Sequence, residues 1–306
     1  MAEIILKNIL AIRNDRFGEF LLIIPALKVL KEEYPQVRLS LAVSAQVKEL
    51  ASLIEEVETV FVWDEIKNKL RRQRFDCCVV FNPTKEAHLK IFLAGIPVRV
   101  GYNRKWGFLL THKILDTKYL GNRHEVICNL ELVGLITKKK FLSSEITLAL
   151  TLRLPETEKY DFLKGAIAIH PFTSDLVKQW PKERFIELGR RLVNELGEKV
   201  VLVGRSEETF SKVSGFIELI NKTTLVELAQ VLKQCKLLVS CDSGPVHLAA
   251  AVGKPVVALF RNDLMGKTAK RWGPWGKGHI VIEDSSLENI TVEEVFQRIK
   301  EFVGIA

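Results

Sequence analysis

Residues 237–260, LLVSCDSGPVHLAAAVGKPVVALF, leave the chain few folds to choose from. Leu237, Leu238 and Val239 form a short apolar run, as expected of a strand buried on both faces of a parallel sheet. Asp242-Ser243-Gly244-Pro245 then opens a helix: Asp or Ser suits the N-cap, and Pro245 suits the first turn, where its missing N–H costs nothing. Residues 247–252 read as a small-residue helix, Gly253 fits the left-handed position that closes it, and residues 256–260 read as a second buried strand. The whole is a βαβ unit with almost no spare residues. Its helix begins just past the carboxyl end of a strand, where α/β sheets bind ligands, and its first-turn amides and dipole favour an anion. Asp242 could accept from a ribose hydroxyl there and His247 donate to a phosphate. On spacing alone, the same residues serve equally as a good helix start beside a surface histidine.

Strand and helix alternate on either side of this unit. Strands are predicted at 8–13, 37–44, 59–63, 75–81 and 98–102, with helices at 20–33, 46–54, 65–74, 85–94 and 125–136. Residues 103–112 mix Arg104, Lys105 and Trp106 and suit an exposed acceptor-binding loop. A linker is expected over 138–164, with a strand-like stretch at 146–154. Beyond it, strands are predicted at 165–170, 199–203 and 216–220. Helices are predicted at 182–196, from Glu207 onward, and at 225–233 and 291–302; 171–180 and 262–278 read as loops. The expected fold class is α/β, with two Rossmann-like doubly wound parallel sheets, a domain over residues 1–156 and another over 157–306. A ligand is expected in the cleft between them.

The first strand leads into Asn14-Asp15-Arg16-Phe17-Gly18-Glu19. Gly18 would let the backbone turn there or approach a ligand closely. Glu19 stands at a helix start, where the dipole favours a carboxylate, and needs no further role to be at home there.

Charge is uneven. The formal net charge is +8; residues 1–155 hold 24 Lys and Arg against 17 Asp and Glu, and residues 156–306 hold 21 against 20. The basic half would face an anionic partner, and nucleic acid is the weakest choice, because no recognisable motif and little aromatic interleaving accompany the basic residues. The five cysteines make no CxxC pair, so neither a zinc site nor a disulfide framework is signalled, and core thiols at Cys77, Cys78 and Cys241 suggest a reducing compartment. No signal peptide or membrane-spanning run is visible, which points to the cytoplasm.

Three separated motifs resemble those of glycosyltransferase family 9, the bacterial lipopolysaccharide heptosyltransferases. The first is Asp15-Arg16-Phe17-Gly18-Glu19 with Pro25-Ala26-Leu27 in the helix that follows. The second is His170-Pro171-Phe172-Thr173-Ser174 with Lys178-Gln179-Trp180-Pro181. The third runs from Asp242-Ser243-Gly244-Pro245 through His247 to Ala250. Together, in this order, they cover essentially the whole chain.

The resemblance implies a GT-B arrangement and an inverting, metal-independent transfer from a nucleotide sugar, typically ADP-heptose, to an acidic sugar of the lipopolysaccharide inner core, with no cofactor. The carboxyl-terminal domain would bind the nucleotide and the amino-terminal domain the acceptor. It further implies Glu19 as general base, at a position the family fills with Asp, so that the carboxylate sits one methylene further out. Lys178 would bind phosphate, with Thr173 and Ser174 as hydroxyl contacts. Gly244 and His247 would lie at the phosphate, Asp242 and Ser243 against nucleotide or sugar, and Glu207 would match the ribose-binding acid more weakly. Asp15, Arg16 and Gly18 would lie on the acceptor side. The chain has Phe260-Arg261-Asn262-Asp263 where the family often has Phe-Gly-Pro-Thr. Two other readings compete: a transferase of the same fold using another nucleotide sugar, and a non-catalytic nucleotide-sugar-binding relative. A dinucleotide oxidoreductase is disfavoured, since the first strand–helix turn lacks G-x-G-x-x-G. The basic amino-terminal half and a lipid-linked acceptor leave room for a peripheral contact with the inner face of the inner membrane.

Overall fold

The computed structural model describes residues 6–141, 148–207 and 214–304. The chain divides into two compact units, Met1–Arg153 and Leu154–Ala306. In the first the strands are β1 (Asn8–Arg13), β2 (Arg38–Val43), β3 (Thr59–Val62), β4 (Cys77–Val80), β5 (Val98–Tyr102) and β6 (His112–Ile114). In the second they are β7 (Ile167–His170), β8 (Val200–Leu202), β9 (Phe216–Glu218), β10 (Leu237–Cys241), β11 (Val256–Arg261) and β12 (Ile280–Asp284).

Each unit carries one six-stranded sheet, ordered β3-β2-β1-β4-β5-β6 in the first and β12-β11-β10-β7-β8-β9 in the second. All pairings are parallel. Numbered within its own unit, each sheet has the order 3-2-1-4-5-6. The strand order therefore reverses between β1 and β4 in one unit and between β7 and β10 in the other, and the crevice at the carboxyl ends of such strands is where doubly wound sheets take ligands.

The central strands are apolar because helices cover both faces. Ile9, Leu10, Ala11 and Ile12 of β1 are fully buried, as are Leu237, Leu238 and Val239 of β10. The carboxyl-terminal core gathers Ile169, Trp180, Phe185, Leu202, Val239, Leu259 and Phe296. All five cysteines are buried free thiols, and burial pushes Cys241 up to about 12.

Several predicted elements differ from what forms. The helix expected over 20–33 is two helices, Phe17–Leu21 and Ile24–Glu33, because Pro25 has no N–H to offer the carbonyl of Leu21. Gly18 lies inside the first of these, buried and without a positive φ, so its backbone freedom makes no turn. The helix expected over 65–74 is likewise two short ones, Trp63–Ile66 and Leu70–Gln73. The segment 46–54 holds only a 3-10 turn, Ala45–Val47, and the single turn Lys48–Ala51. The strand-like stretch 146–154 forms no strand over its described residues, 148–154, and the rest of it lies outside them. Of the helix expected from Glu207 onward, Glu207 itself is not helical and residues 208–213 lie outside the described residues. Two edge strands, β6 and β12, occupy segments not read as strands.

Candidate active site: the switch points of the two sheets

In the carboxyl-terminal unit β7 and β10 lie side by side, with His170 opposite Ser240 in register. The chain leaves β7 into a loop that ends on Trp180. The Trp180 ring is fully buried and packs edge-to-face on Phe185, with centroids 4.8 Å apart. Its indole donates to the Ile290 carbonyl at 2.9 Å, and its backbone N–H meets Cys241 Sγ at 3.3 Å. That anchor fixes the 3-10 turn Leu176–Lys178 just before it, which the Asp175 carboxylate caps by accepting from the Val177 amide at 3.3 Å.

Lys178 from this turn forms an ion pair with Asp242 at the end of β10, with side chains only 16% and 12% exposed. Burial raises the Asp242 carboxyl above its ordinary value, and the neighbouring ammonium pulls the other way without cancelling it. Lys267 adds a second cation, 3.5 Å from Asp175. Thr173 is half-buried, and its hydroxyl accepts from the Asp175 amide at 3.3 Å; Ser174 is exposed.

Ser243 is the N-cap of the helix Gly244–Ala251, yet its side chain makes no cap bond. Its hydroxyl instead meets Ser240 Oγ at 2.8 Å and His170 Nδ1 at 3.4 Å, and His170 Nδ1 meets Ser240 Oγ at 3.0 Å. His170 sits in a slot with no spare room. A Cβ at Gly204, which has φ +126°, would lie 2.7 Å from both the His170 ring and the Phe172 ring. Burial holds the imidazole down at about 4, so it is neutral at physiological pH. His247, in the first turn of the helix, is 4% exposed, so the reading of it as a surface histidine does not hold. Gly253, at φ +74°, closes this helix as expected.

The structure thus brings Lys178, Asp242, Ser243, Gly244 and His247 to one switch point, with Thr173 on the adjoining loop. Glu207 is exposed on the loop after β8, beyond a turn that Asn221 ties to Ser206. His170 stood in the second motif and Asp175 between its two halves, but only the fold shows what they hold. Lys267 gave no signal at all in the sequence.

In the amino-terminal unit, β1 ends on Arg13, which is 2% exposed. Its guanidinium Nε donates to Asp15 at 2.7 Å, and Nη1 lies 3.4 Å from Glu125, which is also 3.1 Å from Lys118 Nζ. Arg16 is exposed at the N-cap of the helix Phe17–Leu21, and half-buried Glu19 lies in its first turn. Partial burial raises the Glu19 carboxyl above its ordinary value, with Arg13 and Arg16 opposing that rise and Asp15 adding to it. The Arg13–Glu125–Lys118 network was missed from sequence. The available signal was an arginine ending an otherwise apolar strand at its ligand-facing edge. A partly desolvated carboxylate beside a fixed guanidinium is the equipment of a general base. A lysine and a helix start at a switch point are the equipment for holding a diphosphate.

The sequence profile of "Glycosyltransferase family 9 (heptosyltransferase)" matches residues 63–297, well over half of the chain. The chain belongs to glycosyltransferase family 9. Among the family's curated members it is 26% identical over 290 residues to lipopolysaccharide heptosyltransferase 2 of Salmonella typhimurium, covering 83% of this chain and 82% of that one. The Escherichia coli protein of the same name is 24% identical over 292 residues, with 83% and 82% covered. Among solved structures, E. coli ADP-heptose lps heptosyltransferase II superposes with a TM-score of 0.80 at 21% identity, over 97% of this chain and 98% of that one. E. coli heptosyltransferase WaaC with ADP superposes with a TM-score of 0.77 at 18% identity, over 96% and 99%. The family 9 chain is therefore a glycosyltransferase with the two-domain GT-B fold of those structures.

Proposed function

We propose that this family 9 glycosyltransferase moves a heptose from ADP-heptose to an acidic sugar of the lipopolysaccharide inner core, with inversion and without a metal. The observation that carries the reading is the Lys178–Asp242 pair at the β7/β10 switch point, directly before the helix Gly244–Ala251. Lys178 and the helix dipole supply the positive charge that a departing diphosphate needs. Thr173 and Ser174 offer hydroxyls on the loop beside it, Ser243, Gly244 and His247 line the helix start, and Asp242 and Glu207 are the acids available to the ribose or sugar.

On the acceptor side Glu19 takes the proton of the attacking hydroxyl. The oxygen forms its bond to the anomeric carbon as the bond to diphosphate breaks, and ADP leaves with its charge neutralised at Lys178. Asp15 is a poorer base, because Arg13 already holds its carboxylate. Together with Arg16 and Gly18 it shapes the acceptor side. The two curated relatives described above are both named lipopolysaccharide heptosyltransferases, which supports the donor and acceptor assigned here.

Thermal stability of the purified chain against ADP, UDP, GDP, CDP and NAD, without added metal, tests the donor. A ligand that binds the native state raises the melting temperature. ADP alone should do so, and ADP-heptose should then turn over. A rise with UDP or GDP alone changes the donor and keeps the fold, whereas NAD as the sole stabiliser overturns the reading. Binding of ADP without turnover of ADP-heptose on any core acceptor identifies a non-catalytic relative.

A further inference from the structure

The amino-terminal unit exposes large apolar side chains within a basic stretch of its chain. Phe92 and Leu93, at the end of the helix Lys85–Leu93, are 46% and 61% exposed, and Trp106 and Phe108, in the loop after β5, are 41% and 71% exposed. Residues 85–113 hold six Lys and Arg against one acid, Glu86.

These side chains form one face. The Arg99 guanidinium lies 5.5 Å from the Phe92 ring centroid and donates through Nε to the Leu109 carbonyl at 2.7 Å, which ties the helix end to the loop. Lys85 Nζ stands 5.7 Å from the Trp106 ring centroid at the other end of the same helix. Buried His88 meets the Lys105 carbonyl at 2.9 Å and holds the loop from beneath. Lys105 and Trp106 are both left-handed, at φ 46° and 69°, a conformation costly for large L-residues. The loop therefore retains a lysine and a tryptophan at its tip where glycine or asparagine would be cheaper. Among the described residues Lys85, Arg99 and Lys105 make no carboxylate pair.

Protein–protein interfaces are depleted in lysine at their centres, and a free phosphate has no use for four exposed apolar side chains. A bilayer uses both. Aromatic rings settle at headgroup depth, and each lysine or arginine near an anionic surface adds attraction. We propose that this face, with Phe92, Leu93, Trp106 and Phe108 set among Arg99 and Lys105, docks on a bilayer that carries anionic lipid. The inference deepens the reading of a lipid-borne acceptor, and its test involves no nucleotide and no transfer, so the two fail separately.

The test is co-sedimentation of the full chain with phosphatidylcholine vesicles and with vesicles that also contain phosphatidylglycerol. Binding should require phosphatidylglycerol and weaken with salt. The Phe92→Ser/Phe108→Ser variant should lose about tenfold in partitioning. Lys85→Glu/Lys105→Glu should lose at least as much, and it decides the matter if the first variant melts early. Arg190→Glu/Lys233→Glu, which makes the same change of net charge on exposed positions of the carboxyl-terminal unit, should bind as the parent does. Equal loss in that control, absence of binding, or equal binding to neutral vesicles overturns the proposal. So does self-association that the Phe92/Phe108 variant abolishes, which would give the face to a second copy of the chain.

Discussion

Ser243 Oγ lies 2.8 Å from Ser240 Oγ and turns away from the helix it caps. An N-cap serine ordinarily spends its hydroxyl on an amide of the first turn, and replacing it with alanine ordinarily costs about 1 kcal/mol. Here the hydroxyl is held by Ser240 and His170, which leaves the first-turn amides to an incoming anion. Ser243→Ala should therefore cost about 1 kcal/mol in urea unfolding through the lost bonds to Ser240 and His170 rather than a lost cap, while calorimetry shows weaker ADP binding. ADP binding unchanged by Ser243→Ala would contradict this account.

Lys178 and Asp242 should part in a double-mutant cycle. Lys178→Met strips a half-buried carboxylate of its partner and should destabilise by about 2 kcal/mol, less than a fully buried pair loses. It should also weaken ADP binding by roughly tenfold or more. Adding Asp242→Asn should recover the stability and leave the affinity low. Recovery of both would mean that the pair is structural only.

Glu19 makes a prediction in which activity and stability move in opposite directions. Its carboxyl is raised above the ordinary 4.5, chiefly by burial. A raised carboxyl contributes stability at low pH and loses it as pH climbs through the folded-state value. At neutral pH the parent carries that loss and Glu19→Gln does not. The variant should melt higher than the parent at pH 7 and alike in acid, while kcat falls by about two to four orders of magnitude and KM stays close to the parent's. The kcat of the parent should drop on the acid side, with a midpoint above the ordinary glutamate range.

His170 titrates with the opposite sign. Burial lowers it from 6.5 to about 4, so the stability of its neutral form is full above 6.5 and drains away as pH falls towards 4. Urea unfolding should show stability falling over that window, by up to a few kcal/mol. His170→Asn should flatten that part of the profile.

The alternation of strand and helix was legible because buried parallel strands are nearly continuous apolar runs, as in β1 and β10. The edge strands were not. His112 and Lys113 of β6 are polar and exposed, and β12 offers only the three-residue run Ile280-Val281-Ile282 beside a glycine-bearing loop, with Ile282 alone buried. The break before Pro25 was also available and was outweighed by an unbroken run of leucine and isoleucine. At the site, Asp242, Ser243 and Lys178 stood in recognisable motifs, and motifs identify residue types at fixed offsets. What holds them, such as Trp180 on Ile290 or Arg13 on Glu125, joins positions more than a hundred residues apart and exists only once the sheets form.

Every strand finds its partners inside its own unit: β1 pairs with β2 and β4, and β7 pairs with β8 and β10. Within each unit, however, the central pairing joins segments separated by two further strands, so a half-made unit has no middle to its sheet. During synthesis the first unit has all the strands of its sheet once β6 has emerged, before any of β7 has been translated. Release of a nascent chain between β1 and β4 would leave β1 an open edge prone to aggregation, whereas a pause after β6 has emerged would leave all six strands paired in order.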